Sequence, residues 1–250
     1  TLAETERDGH RIAFNSAFES CGVPWRWDVE TYGRLLQVTG GCERILHDMA
    51  ARPEAPAAPQ ARAALARELH WRKNAFYEAH VAAGRIGLRP GVRELLDECT
   101  SQGVLAAIAT TTGRGNVAAL LHANLGEHWG SRFQAVVCAE DARRKKPDPQ
   151  AYLLALHRLD VDASEAIALE DSPNGLAAAR AAGIATVVTR SAYFEDCAFD
   201  GALAVCADLA SSGPLHSDCL PAAHGPVSLH ALRDWLAAVR EPAGSRARVT

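Results

Sequence analysis

Apolar residues recur with a helical period over the first third of the chain. An amphipathic helix is predicted from Thr5 to Cys21, and three further helices follow between Asp28 and Gly84. Gly40-Gly41 separates the second predicted helix from the third, and three prolines precede the fourth. Because no strand pattern interrupts this region, residues 11–86 are predicted to form a helical cap domain.

After Gly87 the pattern changes to short apolar runs that alternate with helical segments. The predicted strands are 104–110, 133–138, 166–169, 186–189 and 203–206. This alternation is typical of a parallel sheet with helices on both faces. The predicted fold class is therefore α/β, a Rossmann-like core (residues 1–10 and 87–240) with an inserted helical cap. A loop is predicted over 211–226 and a flexible tail over 241–250.

The composition and charge of the chain indicate which kinds of binding partner to expect. The chain has 250 residues, of which 48% are hydrophobic and 22% charged, and its formal net charge is -4. We therefore expect a monomer that binds neither nucleic acid nor a membrane. The seven cysteines are odd in number and form no C-x-x-C pair, which is typical of a reducing compartment. The irregular spacing of His216, Cys219, His224 and His230 does not favour a zinc site.

The beginning of the chain affects the expected location. The sequence starts at Thr1, and its single methionine is Met49. We expect that the natural N-terminus lies further upstream, so that a targeting segment would also lie there. A cytoplasmic location is expected, with a plastid left open.

The stretch 167–175 carries the strongest chemical signal. An apolar run leads into Glu170-Asp171, then Ser172 can cap a helix and Pro173 suits its first position. Ligands of open α/β sheets bind at the carboxyl ends of the strands, where these two acids are predicted to lie. Oxygen ligands of this kind suit Mg²⁺. The alternative is a capped turn with two solvated acids.

Two other polar clusters are predicted at the same edge of the sheet. Thr110-Thr111-Thr112 follows an apolar strand, and its hydroxyl and N–H groups suit a phosphate, or else a simple hydroxyl-stabilised turn. Lys145-Lys146 precedes two prolines that stiffen the segment, so one lysine is aimed at a fixed point, or else both belong to a solvated loop.

Taken in order, these clusters resemble the haloacid dehalogenase-like hydrolases. Thr1 is similar to the last residue of that family's Asp-x-Asp-Gly-Thr motif, Thr110 to its second motif, Lys146 to its third, and Glu170-Asp171 to its paired acids. The resemblance covers residues 1–208. It implies catalytic roles for Thr110 and Lys146, an Mg²⁺ cofactor held by Asp171 and Glu170, and a helical cap.

Within this family the chain resembles the CbbY-type phosphatases, which act on xylulose-1,5-bisphosphate. The similar segments are 4–11, 25–36, 40–44, 70–73 and 110–116. The resemblance implies a small phosphorylated sugar as substrate, bound by Glu6, Gly40, Gly41, Cys42, Glu43, Arg44, His70, Trp71, Arg72, Lys73, Thr110, Thr111, Thr112, Gly113, Arg114, Gly115 and Asn116. Cys42 stands where this group usually has a lysine.

The family's two catalytic aspartates precede the residue that Thr1 matches. We therefore expect an apolar strand and Asp-x-Asp-Gly immediately upstream of Thr1. The resemblance implies that the first Asp forms an aspartyl phosphate and that the second Asp acts as acid and then base. The alternatives are a phosphosugar mutase, which has the same motifs and cap, and a non-catalytic phosphosugar-binding protein.

Overall fold

The computed structural model describes residues 1–211, 214 and 225–240. Most of the loop predicted over 211–226, with His216, Cys219 and His224, lies outside these residues, as does the tail predicted over 241–250. No helix within the described ranges is both long and apolar enough to cross a membrane.

Helices and strands follow the predicted order. The helices are α1 (Arg11–Ser20), α2 (Val29–Leu35), α3 (Gly41–Met49), α4 (Pro59–Ala82), α5 (Val92–Ser101), α6 (Arg114–Leu125), α7 (Gln150–Leu159), α8 (Pro173–Ala181) and α9 (Leu229–Arg240). The strands are β1 (Ala107–Ala109), β2 (Ala135–Val137), β3 (Ile167–Glu170), β4 (Ala185–Thr189) and β5 (Ala204–Cys206). Two 3-10 turns, Glu127–Arg132 and Ala163–Glu165, complete the order.

Helices α1 to α4 pack around an aromatic cluster of their own. Asp28 caps α2 by accepting a hydrogen bond from the Thr31 backbone N–H at 2.7 Å. The rings of Phe14, Phe18 and Trp27 lie in mutual contact in this cluster, and none of the three side chains is exposed by more than 1%. The four predicted cap helices are thus confirmed, while the division of the chain into two domains stays a prediction.

The first predicted helix begins differently from expectation. Residues Glu6–His10 form a π-helical turn, in which the Arg11 N–H donates to the carbonyl of Glu6, and the α-helical part begins only at Arg11. Immediately before this turn Ala3 forms an antiparallel bridge with Leu88, which follows α4. The two connections between the helical segment and the sheet therefore run side by side.

The sheet differs from the single sheet that the sequence predicts. Strands β1 and β2 form one parallel pair, and β3, β4 and β5 form a separate parallel sheet. The edge strands β1 and β3 both line one cavity of about 880 Å³, which extends from α9 to the helical segment. Its apolar lining includes Leu2, Val92, Leu96, Val104, Ile108, Leu121, Leu169, Leu209 and Leu232. The sheet is divided because this space separates the two edges.

Candidate active site

Asp171 follows directly after strand β3, at the carboxyl end of the sheet. Its Oδ1 accepts a hydrogen bond from the Thr1 hydroxyl at 2.6 Å and lies 3.0 Å from the Thr1 ammonium. Burial alone raises the pKa of Asp171, but the adjacent ammonium and hydroxyl outweigh it and lower the pKa to about 2. The Asp171 carboxylate is therefore ionised and is held at the strand end by the Thr1 hydroxyl.

Glu170 precedes Asp171 in the chain, but its carboxylate accepts hydrogen bonds from a different set of groups. One of its carboxylate oxygens, Oε1, accepts hydrogen bonds from the Lys146 ammonium at 2.5 Å and from the Tyr152 hydroxyl. The other oxygen accepts from the Asp171 backbone N–H at 3.2 Å. A side chain at Gly175 would overlap this carboxylate, so only glycine fits there. Glu170 is 3% exposed, and its carboxylate is shared by Lys146, Tyr152 and the Asp171 backbone.

Thr110 extends the ladder of strand β1 into the turn that precedes α6. Its N–H donates to the carbonyl of Val137 at 2.9 Å, and its Oγ1 accepts from the Thr112 N–H at 3.1 Å. The hydroxyl-stabilised turn considered from the sequence is therefore present. The Thr110 hydroxyl proton remains available to a ligand, and Thr110, Thr111 and Thr112 all line the cavity.

The start of α6 already has an anionic partner. The Arg114 N–H donates to both oxygens of Glu140, at 3.0 and 3.1 Å, and the Arg114 guanidinium pairs with Asp141 at 2.6 Å. Gly113, Arg114 and Gly115 therefore lie outside the cavity lining, although the sequence grouped them with the substrate contacts. Asn116, in the same first turn of α6, is buried in that lining and donates to Asn74 at 3.1 Å.

Arg44 faces the strand ends from the helical segment. Its Nη1 donates to the Tyr32 hydroxyl at 2.8 Å, and this hydroxyl donates to Glu6 Oε2 at 2.5 Å. Arg44 Nε donates to the carbonyl of Leu35 at 3.1 Å, and Nη1 lies 3.7 Å from Glu6 Oε2. Arg44 and Tyr32 are buried, so the guanidinium is held in a single orientation at the wall of the cavity.

Two further basic side chains lie next to Arg44. Lys73 is 4% exposed, and its ammonium lies 5.3 Å from the ring centres of both Phe14 and Tyr77. Burial lowers the pKa of Lys73 to about 8. His10 stacks on Tyr77 with ring centres 4.2 Å apart, and burial together with the nearby Lys73 and Arg44 holds its pKa well below the usual value. His10 is therefore a neutral imidazole at the cavity wall.

The remaining residues that the sequence predicts to bind the substrate lie partly inside and partly outside the cavity lining. Burial lowers the pKa of His70, which is half-buried beside Gly41, to about 4. Trp71 is 67% exposed, and Arg72 pairs with Glu68 at 2.6 Å on the outer face of α4. Of the predicted site residues, the cavity is lined by Glu6, Gly40, Arg44, Thr110, Thr111, Thr112, Asn116, Lys146, Glu170 and Asp171. Gly41, Cys42, Glu43, His70, Trp71, Arg72 and Lys73 lie outside this lining.

The chain has only three lysines, Lys73, Lys145 and Lys146, and all three belong to this region. Lys145 forms an ion pair with Glu43 and so joins the loop after β2 to helix α3. Sequence reasoning missed Tyr32, Tyr152 and His10 as site residues. For Tyr152 the sequence contains one usable signal, because this residue lies in the first turn of the helix that follows Lys146-Pro147.

Comparisons with known proteins agree with this geometry. The family profile described as haloacid dehalogenase-like hydrolase matches residues 1–183. A CbbY protein of Cupriavidus necator is 43% identical over 241 residues, which cover 94% of this chain and 92% of the relative. A crystal structure of CbbY from Rhodobacter sphaeroides with phosphate matches with a TM-score of 0.77 and 39% identity, over 83% of this chain and 90% of that one.

A second crystal structure shows a mutant of the same Rhodobacter protein in complex with xylulose-(1,5)bisphosphate. It matches with a TM-score of 0.78 and 40% identity, over 86% of this chain and 93% of that one. The chain therefore belongs to the haloacid dehalogenase-like hydrolase family. This result confirms the predicted α/β fold class, the resemblance to CbbY-type proteins and the predicted enzyme class, a phosphatase.

Proposed function

We propose that the protein is an Mg²⁺-dependent phosphatase that acts on a small sugar bisphosphate such as xylulose-1,5-bisphosphate. The observation that supports this proposal is the arrangement of cations at two ends of one cavity. The Lys146 ammonium lies at the strand ends together with the Thr110 hydroxyl, whereas the Arg44 guanidinium lines the cavity from the helical segment. A ligand with two phosphate groups complements this pattern better than a ligand with one. The bisphosphate complex of the Rhodobacter relative is in agreement.

In the proposed reaction, the chain's own residues bind and orient the phosphoryl group. Lys146 and the Thr110 hydroxyl donate hydrogen bonds to its oxygens. An aspartate carboxylate preceding Thr1 attacks phosphorus, and the bond from phosphorus to the sugar oxygen breaks as a second aspartate donates a proton to that oxygen. Water then attacks the aspartyl phosphate while the second aspartate takes up its proton, and inorganic phosphate is released.

The Asp171 carboxylate fits a divalent cation, because it offers oxygen ligands at the carboxyl end of β3, in the lining of the cavity. Among the described residues no group of three metal-binding side chains is present, so further ligands come from the substrate, water and the aspartates that we propose upstream. The cation would neutralise charge on the phosphoryl group when bound. We revise the role of Glu170 from metal ligand to partner of Lys146, since both of its oxygens are engaged.

The proposal is tested by product analysis of a chain that carries Asp-x-Asp-Gly before Thr1. The purified protein is given xylulose-1,5-bisphosphate or a pentose monophosphate, and inorganic phosphate and the sugar products are measured by ³¹P NMR. We expect one phosphate per bisphosphate and a higher kcat/KM than for the monophosphate. Isomerisation with retention of phosphate would instead identify a mutase, and binding without turnover a non-catalytic protein.

Removal of the Arg44 guanidinium should affect the distal phosphate selectively. For Arg44→Ala we expect KM for the bisphosphate to rise by roughly 10- to 150-fold. This increase corresponds to the loss of a hydrogen bond to a charged group, which is worth about 1.5–3 kcal/mol. KM for a monophosphate should change by less than about threefold. Steady-state kinetics with both substrates measure the difference.

Arg72→Ala is the matched control for this variant, since it removes an exposed arginine of the same helical segment that pairs with Glu68. It should leave both KM values unchanged. Equal increases of KM for the two substrates in Arg44→Ala, with an unchanged melting temperature, would place Arg44 outside the distal site.

The lowered pKa of Lys73 leads us to expect that hydrolysis of the bisphosphate depends on pH. Its pKa is about 8 in the folded protein, and 10.5 is its ordinary value. As pH rises through 8, Lys73 loses its charge. Lys73 lies outside the cavity lining but interacts electrostatically with Arg44, so this loss weakens the positive field at the cavity wall. We therefore expect kcat/KM for the bisphosphate to fall above pH 8, because this ratio reports the free enzyme. Protein stability should rise between pH 8 and 10.5, because in that range the unfolded chain binds more protons than the folded one.

Lys73→Arg distinguishes this effect from a general loss of activity. Arginine stays protonated over the whole range, so the decline above pH 8 should disappear in this variant while the neutral-pH rate is largely kept. An unchanged alkaline decline in Lys73→Arg would attribute the titration to another group.

A further inference from the structure

Tyr152 lies beneath Lys146, in the first turn of α7. Its hydroxyl donates to Glu170 Oε1, the same oxygen that accepts from Lys146 at 2.5 Å. The Lys146 ammonium lies 3.4 Å from the Tyr152 hydroxyl and 4.6 Å from the centre of its ring. Tyr152 is 8% exposed and Glu170 3%. Two donors, the Lys146 ammonium and the Tyr152 hydroxyl, thus meet at one oxygen of a buried carboxylate.

This arrangement determines where the lysine can point. An ammonium has three N–H donors. Two of them are directed to Glu170 and to the Tyr152 hydroxyl, and the third is left for the cavity that Lys146 lines. The face of the tyrosine ring also attracts the cation. A lysine on a flexible stem is therefore confined to a single direction before any substrate arrives.

Tyr152 also restrains the carboxylate of Glu170, which lines the cavity. Glu170 is bounded on one side by Gly175, which leaves no space for a side chain, and Tyr152 engages the carboxylate from within the protein. The phenol donates a hydrogen bond without adding a charge. The carboxylate thereby keeps its place without a second cation that would compete with Lys146.

We propose that Tyr152 is a positioning residue, which fixes the Lys146 ammonium for one oxygen of the phosphoryl group. The inference rests on the proposed phosphatase function, and it assigns Tyr152 no direct contact with the substrate. A purely structural role is the alternative, because Tyr152 packs on Ala168, Ala178 and Ile184. The two roles are separable because only the hydroxyl reaches Glu170.

The decisive variant is Tyr152→Phe, which keeps the ring and its packing and removes the hydroxyl. Leu154→Ala is the matched control, since Leu154 lies on the same helix and packs toward Val137 and Ala151 rather than Lys146. In the chain extended with Asp-x-Asp-Gly, Tyr152→Phe should lower kcat by about tenfold, the effect of one hydrogen bond to a charged group, with KM changed by less than about twofold. Leu154→Ala should lower the melting temperature and leave kcat unchanged.

A second measurement needs no activity. The chain that begins at Thr1 is treated with trace acetic anhydride at pH 8, and acetylation of its three lysines is measured by mass spectrometry, with Lys145 as internal reference. We expect Lys146 to react severalfold faster in Tyr152→Phe than in the parent or in Leu154→Ala, because its ammonium is held less firmly. Equal Lys146 reactivity in all three proteins overturns the proposal.

The kinetic and the acetylation measurements together separate an error in the proposed function from an error in the role of Tyr152. If the extended parent hydrolyses no sugar phosphate, the proposed function is wrong, and the acetylation ratio alone decides whether Tyr152 holds Lys146. If the parent is active, a kcat for Tyr152→Phe equal to that of Leu154→Ala, or a loss confined to KM, also overturns the positioning role.

Discussion

A chain that carries an apolar β-strand and Asp-x-Asp-Gly before Thr1 should be both more stable and catalytically active. Within the part of the chain that the structure describes, β1 and β3 each have one edge without a pairing strand, and both edges face one cavity of about 880 Å³. Protein interiors contain few voids larger than a water molecule, so a space of this size in the middle of a parallel sheet favours an occupying strand. Thr1 lies beside Asp171 at the carboxyl end of β3, where such a strand would end.

The expected gain in stability can be estimated from burial. Each large apolar side chain buried contributes about 1.5–3 kcal/mol before the cost of ordering. Since 1 kcal/mol shifts the melting temperature of a chain of this size by roughly 2–4 °C, we expect an increase of at least about 5 °C. Circular dichroism measures the melting temperature, and ³¹P NMR measures turnover, which should reach the range of about 1–1000 s⁻¹ typical of enzymes.

Two controls separate the strand from the nucleophile. Asn in place of the first added Asp should keep the gain in stability and abolish turnover. Pro in the middle of the added strand should abolish both the gain in stability and the turnover, because proline has no N–H to donate to a neighbouring strand. If the chain beginning at Thr1 hydrolyses a sugar bisphosphate as fast as the extended one, our assignment of the nucleophile is wrong.

Asp171→Asn should eliminate Mg²⁺-dependent turnover in the extended chain. The substitution removes the charge that faces the cation site but keeps an oxygen that can accept from the Thr1 hydroxyl at 2.6 Å. Changes to groups that merely support a metal ligand cost about 10- to 100-fold, so loss of the ligand itself should reduce kcat/KM by more than roughly 100-fold. The fold should survive, because the hydrogen bond is retained.

Asp208→Asn serves as the control for Asp171→Asn. Asp208 follows β5 of the same sheet, and its carboxylate accepts from the N–H groups of Ala210 and Ser211, away from the cavity lining. This variant should keep full turnover. Mg²⁺ should raise the melting temperature of the parent and of Asp208→Asn but not of Asp171→Asn, since a ligand stabilises only a protein that binds it. Parental turnover of Asp171→Asn at limiting Mg²⁺ would remove Asp171 from the metal site.

Local patterns predicted the elements that carry the site. The apolar run before Glu170, Ser172 as cap and Pro173 at the first helical position gave strand β3 and helix α8, with the Ser172 hydroxyl accepting from the Gly175 N–H at 3.1 Å. These signals are local in the chain, so one sequence is enough to recognise them. The order of the polar clusters then placed Thr110, Lys146 and Asp171 at one edge of the sheet.

Other features depend on packing and were not predictable. The strand expected over 104–110 is limited to Ala107–Ala109, because pairing with β2 determines its length. The hydrogen bonds that Lys146 and Tyr152 donate to Glu170 depend on which groups meet in the folded chain. Arg72 matched the substrate-binding segment by sequence, yet the turn of helix α4 directs it outward. Helical period alone does not tell which face meets a ligand.

The π-helical turn Glu6–His10 has a consequence for how related proteins diverge. Its i→i+5 hydrogen bond encloses one residue more than an α-helical turn does. Both ends of the turn, Glu6 and His10, line the cavity. Loss of a single residue here would convert the turn to α-helix and rotate Glu6 relative to Arg44 while leaving α1 intact. A short insertion or deletion at this turn would thus reshape the cavity wall without rebuilding the helical segment.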